Sequence, residues 1–184
     1  MQRSGRGGSF IHMRSIHSNN RMRLAVAILA LTLSAPVAAQ EGPMLVVGVG
    51  ATGIFHHNSH VTATVAVVSL EYRANRDLWR GVKPLVGAFV GTDDSAYVHA
   101  GVYRDFVLSS RWTVTPHFSA GVHSNGEKNN LGGPVEFQSG VDLFYRVGHG
   151  WQLGGTLRHV SNGGIYDVNP GIETLAVLVS MPLD

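Results

Sequence analysis

Cysteine is absent from this 184-residue sequence, which excludes disulfide bonds, thiol redox chemistry and thiolate metal sites. Long apolar runs are missing as well. The uncharged run Leu24–Leu33 has about half of the ~20 residues that a membrane-spanning helix needs. Beyond Gln40, no window of twelve residues has a convincing helical period. The length is enough for one domain and too short for two separate cores.

The N-terminal segment has the features of a secretory signal. Arg21 and Arg23 precede the apolar run, and the small residues of the segment 34–40 (SAPVAAQ) follow it, as a signal peptidase requires. We therefore predict a signal peptide over residues 1–39, cut after Ala39. Its first 21 residues are polar and unpatterned, which indicates an over-long leader or a start codon assigned too early. The predicted mature domain spans residues 40–184.

The basic charge of the chain belongs to this leader. Five of the 14 Lys and Arg residues lie within residues 1–39, whereas all 12 Asp and Glu residues follow. The mature chain keeps nine basic residues and has a net charge of about −3 with histidine neutral. The sequence therefore predicts no nucleic-acid partner.

Segments of about ten residues that alternate apolar with polar or small side chains recur between turn residues. They predict an all-β domain of eight antiparallel strands. The predicted strands are 44–54, 61–72, 82–91, 96–108, 111–122, 135–147, 151–161 and 171–183.

Alternation alone does not distinguish a barrel in lipid from a sheet packed in water. Export, the even number of strands and polar faces that mix Glu, Gln, Asp, Arg and His favour an outer-membrane β-barrel. Short and long connections also alternate along the chain. With the N-terminus in the periplasm, the seventh strand ends and the eighth begins at the extracellular rim.

Three polar residues interrupt the apolar stripes of the last two strands at that rim. His159 and Ser161 share a face because they are two residues apart, at ~6.6 Å. Glu173 lies on the matching face of the next strand, where it can reach the second imidazole nitrogen. A nucleophile, a general base and an orienting carboxylate are then present together. An isolated His-x-Ser pair is more often a pair of polar rim residues, and Glu173 alone a loop charge, but the third member on the matching face favours a site.

The segment His159-Val160-Ser161-Asn162, followed by Asn169 and Glu173, resembles the active-site segment of the lipid A 3-O-deacylases, the PagL family of outer-membrane enzymes. The resemblance implies that Ser161 is the nucleophile, His159 its base and Glu173 the residue that orients the histidine. It further implies that Asn162 or Asn169, with backbone N–H groups near Gly163 and Gly164, forms the oxyanion hole. The first six strands match the family only in pattern.

The predicted function is an outer-membrane esterase that removes the 3-O-linked 3-hydroxyacyl chain from lipid A of lipopolysaccharide, at the outer leaflet and without metal or cofactor. Two alternatives stay open: a non-catalytic surface barrel that serves as an anchor or adhesin, and a hydrolase of another outer-leaflet ester such as a phospholipid. A homodimer is one arrangement that the sequence leaves open. The chain end, Met181-Pro182-Leu183-Asp184, departs from the terminal aromatic residue usual in such barrels.

Overall fold

The protein is an antiparallel β-barrel. The computed structural model describes residues 42–55 and 58–183, so the predicted signal peptide lies outside the described residues. The strands are β1 (Met44–Thr52), β2 (Val65–Arg73), β3 (Val82–Gly91), β4 (Ala96–Arg104), β5 (Phe106–Val107), β6 (Trp112–Ser124), β7 (Val135–Gly148), β8 (Trp151–Ser161) and β9 (Ile172–Pro182). None of the described residues forms a helix long and apolar enough to cross a membrane.

Every neighbouring pair of strands is antiparallel, and the sheet closes on itself. β1 pairs with both β2 and β9, and the remaining strands follow in chain order on either side. Pairing of β4 with β6 joins the two edges. The short β5 continues the line of β4 beyond Asp105, whose carboxylate accepts a hydrogen bond of 2.7 Å from the Thr115 hydroxyl. Eight strands therefore span the barrel, as the sequence predicted, with the fourth one interrupted.

The polarity of the two faces of the sheet is the reverse of that in a soluble β-barrel, with polar side chains inside and apolar side chains outside. Charged and amide side chains point into the barrel and are buried, among them Glu71, Arg73, Glu136, Gln138 and Asp142. Large apolar side chains point outward and are exposed, including Val49, Val68, Leu70, Val86, Val98, Phe118, Val122, Leu143, Leu157, Leu175 and Val177. An apolar outer band around a polar interior is the pattern of a barrel surrounded by lipid.

A network of ion pairs fills the middle of the barrel. The Arg73 guanidinium bonds to Glu71, with Nε–Oε1 at 2.6 Å, and to the carboxylate of Asp142. His117 Nε2 lies 3.3 Å from Asp142 Oδ1. Arg158, on β8 beside the predicted site, reaches Glu71 Oε2 at 3.8 Å and Asp142 Oδ1 at 3.9 Å. Because each charge of this network faces an opposite one, the network tolerates ions that would be costly alone.

The longer loops meet at the end of the barrel that carries the predicted site. Asn130 N donates to His60 O at 2.8 Å, and Thr62 N donates to Lys128 O at 2.9 Å. Below them, the side chains of Val61, Leu131, Val160 and Ile172 form a buried apolar cluster. These loops cover the mouth of the barrel next to β8 and β9. Since long loops mark the extracellular end of such barrels, the site lies at that end.

Candidate active site

The ends of β8 and β9 bring His159 and Glu173 together. The two residues are directly opposite each other in the register of the strands. His159 Nδ1 lies 3.3 Å from Glu173 Oε1. The side chains keep 46% and 24% of their surface exposed, so the contact lies on the outer surface of the barrel. The carboxylate can thus orient the imidazole and leave Nε2 for another partner.

Ser161 lies on the same outer face, two residues beyond His159. Leu157 and His159 are exposed whereas Arg158 and Val160 are buried, which is the strand register that the sequence predicted. In the described part of the chain, no hydrogen bond joins the Ser161 hydroxyl to His159. Catalytic hydrogen bonds are often loose before substrate binds, and a rotation of the serine about χ1 changes this separation.

Asn162 holds the loop after β8 rather than facing the outer surface. Its side chain is fully buried, and Nδ2 donates to Leu131 O at 2.8 Å and to Val168 O at 2.7 Å. Its Oδ1 accepts from Gly164 N at 2.9 Å. The backbone N–H of Asn162 donates to Asn169 Oδ1 at 3.1 Å. The side-chain amide of Asn162 and the N–H of Gly164 are therefore already engaged, partly within this loop and partly with Leu131 of the loop between β6 and β7.

Asn169 and Gly163, unlike Asn162 and Gly164, have donors that the loop contacts do not engage. Asn169 is exposed, and its Oδ1 accepts the Asn162 N–H, which leaves its Nδ2 group outside this hydrogen bond. Gly163 is also exposed and has φ of +66°, a conformation that glycine adopts without strain. Of the four residues predicted around the oxyanion, these two keep donors that the described loop contacts do not use.

Two residues beside the histidine were missed by the sequence reasoning. Ser139 on β7 is the register partner of His159 and is exposed on the same face. Gly171 has φ of +65°, and a Cβ added to it would lie 2.8 Å from His159 Cε1. Neither has a sequence signal, because both lie next to His159 only through strand pairing and loop closure.

Metal ligation has no support in this part of the molecule. Within residues 42–55 and 58–183, no group of three or more His, Cys, Asp or Glu side chains is arranged to hold a metal ion. His159 and Glu173 contact each other instead. The arrangement is one that can move a proton between a hydroxyl and an imidazole.

The fold and its surface define the class: an eight-stranded barrel of the bacterial outer membrane. Among solved structures, the chain is similar to the outer membrane enzyme PagL, with 16% identity, TM-score 0.58 and coverage of 76% of this chain and 99% of that one. It is also similar to a de novo designed transmembrane β-barrel, with 14% sequence identity, TM-score 0.50 and coverage of 79% of this chain and 98% of that one. Neisserial surface protein A is similar as well, with 14% sequence identity, TM-score 0.50 and coverage of 77% of this chain and 96% of that one. At these identities, the likeness concerns the fold.

The family comparison concerns the segment with the site. The model of the family described as lipid A 3-O-deacylase (PagL) matches residues 96–182, just under half of the chain, from β4 to the end of β9. No curated protein sequence gives a significant match. The family resemblance that the motif indicated is thereby confirmed for residues 96–182, which are similar to the lipid A 3-O-deacylase family.

Proposed function

We propose that Ser161, His159 and Glu173 hydrolyse the ester that links an acyl chain to the 3-position of lipid A. The observation that carries this proposal is the contact of 3.3 Å between His159 Nδ1 and Glu173 Oε1 on the outer face, with Ser161 in the same outward row. A serine hydroxyl, an imidazole base and a carboxylate that orients the base are the three groups of a serine-hydrolase triad.

The proposed reaction has two halves. Ser161 Oγ attacks the acyl carbonyl carbon while His159 Nε2 takes the hydroxyl proton. The tetrahedral intermediate then collapses, the ester C–O bond breaks, and the proton passes from the imidazolium to the departing sugar oxygen. Water next attacks the acyl-serine, giving its proton to His159, and the fatty acid leaves as Ser161 is restored. Glu173 stabilises the imidazolium in both halves and stays ionised.

The negative oxygen of the intermediate needs hydrogen-bond donors. We assign this role to the Nδ2 group of Asn169 and the backbone N–H of Gly163. Asn162 and Gly164 then act by positioning, because their hydrogen bonds fold the loop that presents the other two. The resemblance implied donors from this set of four, and the loop contacts favour this pair.

The position of the site supports a lipid substrate. Below the rim, the outer surface of β8 and β9 continues with exposed Leu157, Leu175, Leu153 and Val177, so acyl chains can lie against it. The polar triad is at the extracellular end, where the head groups of the outer leaflet lie. An ester near those head groups, with its acyl chain in the bilayer, is the substrate that fits both surfaces.

Mass spectrometry of lipid A from cells that produce the protein tests the proposal. We expect loss of one 3-hydroxyacyl chain with the wild type and no loss with Ser161→Ala. Ser139→Ala is the matched control, because Ser139 is an exposed serine in the register position opposite His159. It should leave the lipid A change intact.

The other outcomes discriminate among the alternatives. Unchanged lipid A with folded protein in the membrane contradicts the proposal and favours a non-catalytic barrel. Release of fatty acid from phospholipid with lipid A intact points to a different outer-leaflet ester. If Ser139→Ala abolishes activity and Ser161→Ala does not, the nucleophile is misassigned although the chemistry holds.

A further inference from the structure

Basic residues gather at the end of the barrel opposite the triad, where β2 ends and β3 begins. The described strand ends and connections there contain two acidic residues, Asp77 and Asp105, and six basic ones: Arg76, Arg80, Lys83, Arg104, Arg111 and Arg146. The described loops at the triad end are acidic instead, because Lys128 stands against Asp93, Asp94, Glu127 and Asp167. The periplasmic end of this barrel therefore attracts anions.

Both acidic residues of this end are already engaged. Lys83 Nζ lies 3.8 Å from Asp105 Oδ2. The two carboxylate oxygens of Asp77 accept the N–H of Gly81, at 3.1 and 3.0 Å, and thereby stabilise the turn between β2 and β3. Among the described residues, no ion pair neutralises three of the arginines: Arg76, Arg80 and Arg104.

Arg80 and Arg104 are neighbours at the edge of the outer wall. Arg80 precedes Gly81 in the turn, and Arg104 Nε lies 3.6 Å from the position of a Cβ added to Gly81. The Arg80 Cζ is 4.9 Å from the centroid of the Trp79 ring, and the Arg104 Cζ is 4.9 Å from that of Phe106. A guanidinium held over a ring keeps its N–H groups for an anion. Phosphate is the anion that arginine binds best, through paired hydrogen bonds.

Exposed apolar side chains adjoin these arginines. Leu78 and Trp79 keep 52% and 66% of their surface exposed. Tryptophan is enriched at the membrane–water interface, at the level of the lipid head groups. Toward the middle of the membrane, the outer wall of β3 continues with exposed Val86 and Val90, so an acyl chain can lie beside it. Cations next to such apolar groups fit a lipid whose head group is an anion.

We propose that the arginine patch, formed by Leu78, Trp79, Arg80, Arg104 and Phe106, binds the phosphate of an anionic phospholipid in the periplasmic leaflet. The guanidinium groups of Arg80 and Arg104 hold the phosphate oxygens, and the Trp79 ring lies at the level of the head group. A zwitterionic head group fits less well, because its ammonium group comes close to the same two cations. The patch shares no residue with the triad, so this proposal is independent of ester hydrolysis.

Binding of single lipids to the folded protein tests the proposal. The protein in detergent micelles is titrated with dioleoyl phosphatidylglycerol or with dioleoyl phosphatidylethanolamine, and native mass spectrometry counts the bound lipids. We expect the wild type to bind the phosphatidylglycerol about 10-fold more tightly. Arg80→Gln and Arg104→Gln should each weaken this binding ~5-fold, which is the contribution of one basic residue near anionic lipid. Binding of the phosphatidylethanolamine should not change.

Lys128→Gln is the matched control, because it removes the same charge from an exposed residue at the other end of the barrel. It should bind both lipids as the wild type does, and heat-modifiable gel migration checks that each variant is folded. Equal binding of the two lipids to the wild type overturns the proposal, and so does wild-type affinity for phosphatidylglycerol in the folded arginine variants. If Lys128→Gln loses as much affinity as they do, net charge attracts the lipid and the patch does not.

Discussion

Substitution of Gly171 by alanine tests whether the loop before β9 positions His159, the proposed catalytic base. An added Cβ would lie 2.8 Å from His159 Cε1 and 3.4 Å from Nε2. To restore an ordinary contact of 3.4 Å, the ring has to retreat by about 0.6 Å. The same residue has φ of +65°, where an L-residue costs roughly 1–2 kcal/mol relative to glycine. The change therefore perturbs both stability and the alignment of the imidazole.

The two effects have different magnitudes and different readouts. A misplacement of about 1 Å costs on the order of 10²-fold in rate, so a shift of about 0.6 Å should lower kcat by roughly tenfold or somewhat more. KM should change little, because in the proposed mechanism the His159 ring acts on the reacting atoms and not on the acyl chain. Unfolding in urea should show only the backbone cost of ~1–2 kcal/mol.

Gly81→Ala is the matched control for backbone strain. Gly81 has φ of +82°, and an added Cβ would meet its nearest atom, Arg104 Nε, at 3.6 Å, which is ordinary contact. It lies at the opposite end of the barrel from the triad. We expect a similar loss of stability with unchanged kcat. If folded Gly171→Ala protein keeps the wild-type kcat, or if Gly81→Ala loses as much activity, the positioning role of Gly171 is refuted.

Two further predictions concern charged groups. Glu173→Gln keeps the shape but removes the charge that stabilises the His159 imidazolium, and we expect kcat in an ester assay to fall by ~10–100-fold; an unchanged kcat would exclude Glu173 from the mechanism. Arg73→Ala leaves the buried carboxylates of Glu71 and Asp142 without their shared cation, which should cost about 3–5 kcal/mol of unfolding free energy. Urea unfolding in micelles measures this loss of free energy. An unaltered unfolding midpoint would contradict a stabilising role of the ion-pair network inside the barrel.

Much of the architecture could be predicted from local patterns. Side chains two residues apart share a strand face wherever the strand lies. The residues that share the outer face of β8 and β9 could therefore be predicted from the sequence alone. The same alternation predicted that one face of β7 is polar, with Glu136, Gln138 and Asp142. Alternation alone did not tell whether that face pointed to water or into a barrel, since both cases alternate alike. Export, the even number of strands and the mixed polar faces favoured the barrel, and the closure of β4 on β6 confirms it.

For the site as well, local spacing was predictable and cross-strand contacts were not. The sequence by itself determined that His159 and Ser161 share a face, because their spacing is local, and that Glu173 follows at the start of the next strand. Only the tertiary structure decided that Glu173 lies opposite His159, that Ser139 flanks it from β7, and that Gly171 packs on its ring. The physical reason is that cross-strand neighbours depend on register, which loops and barrel closure set over long separations in sequence.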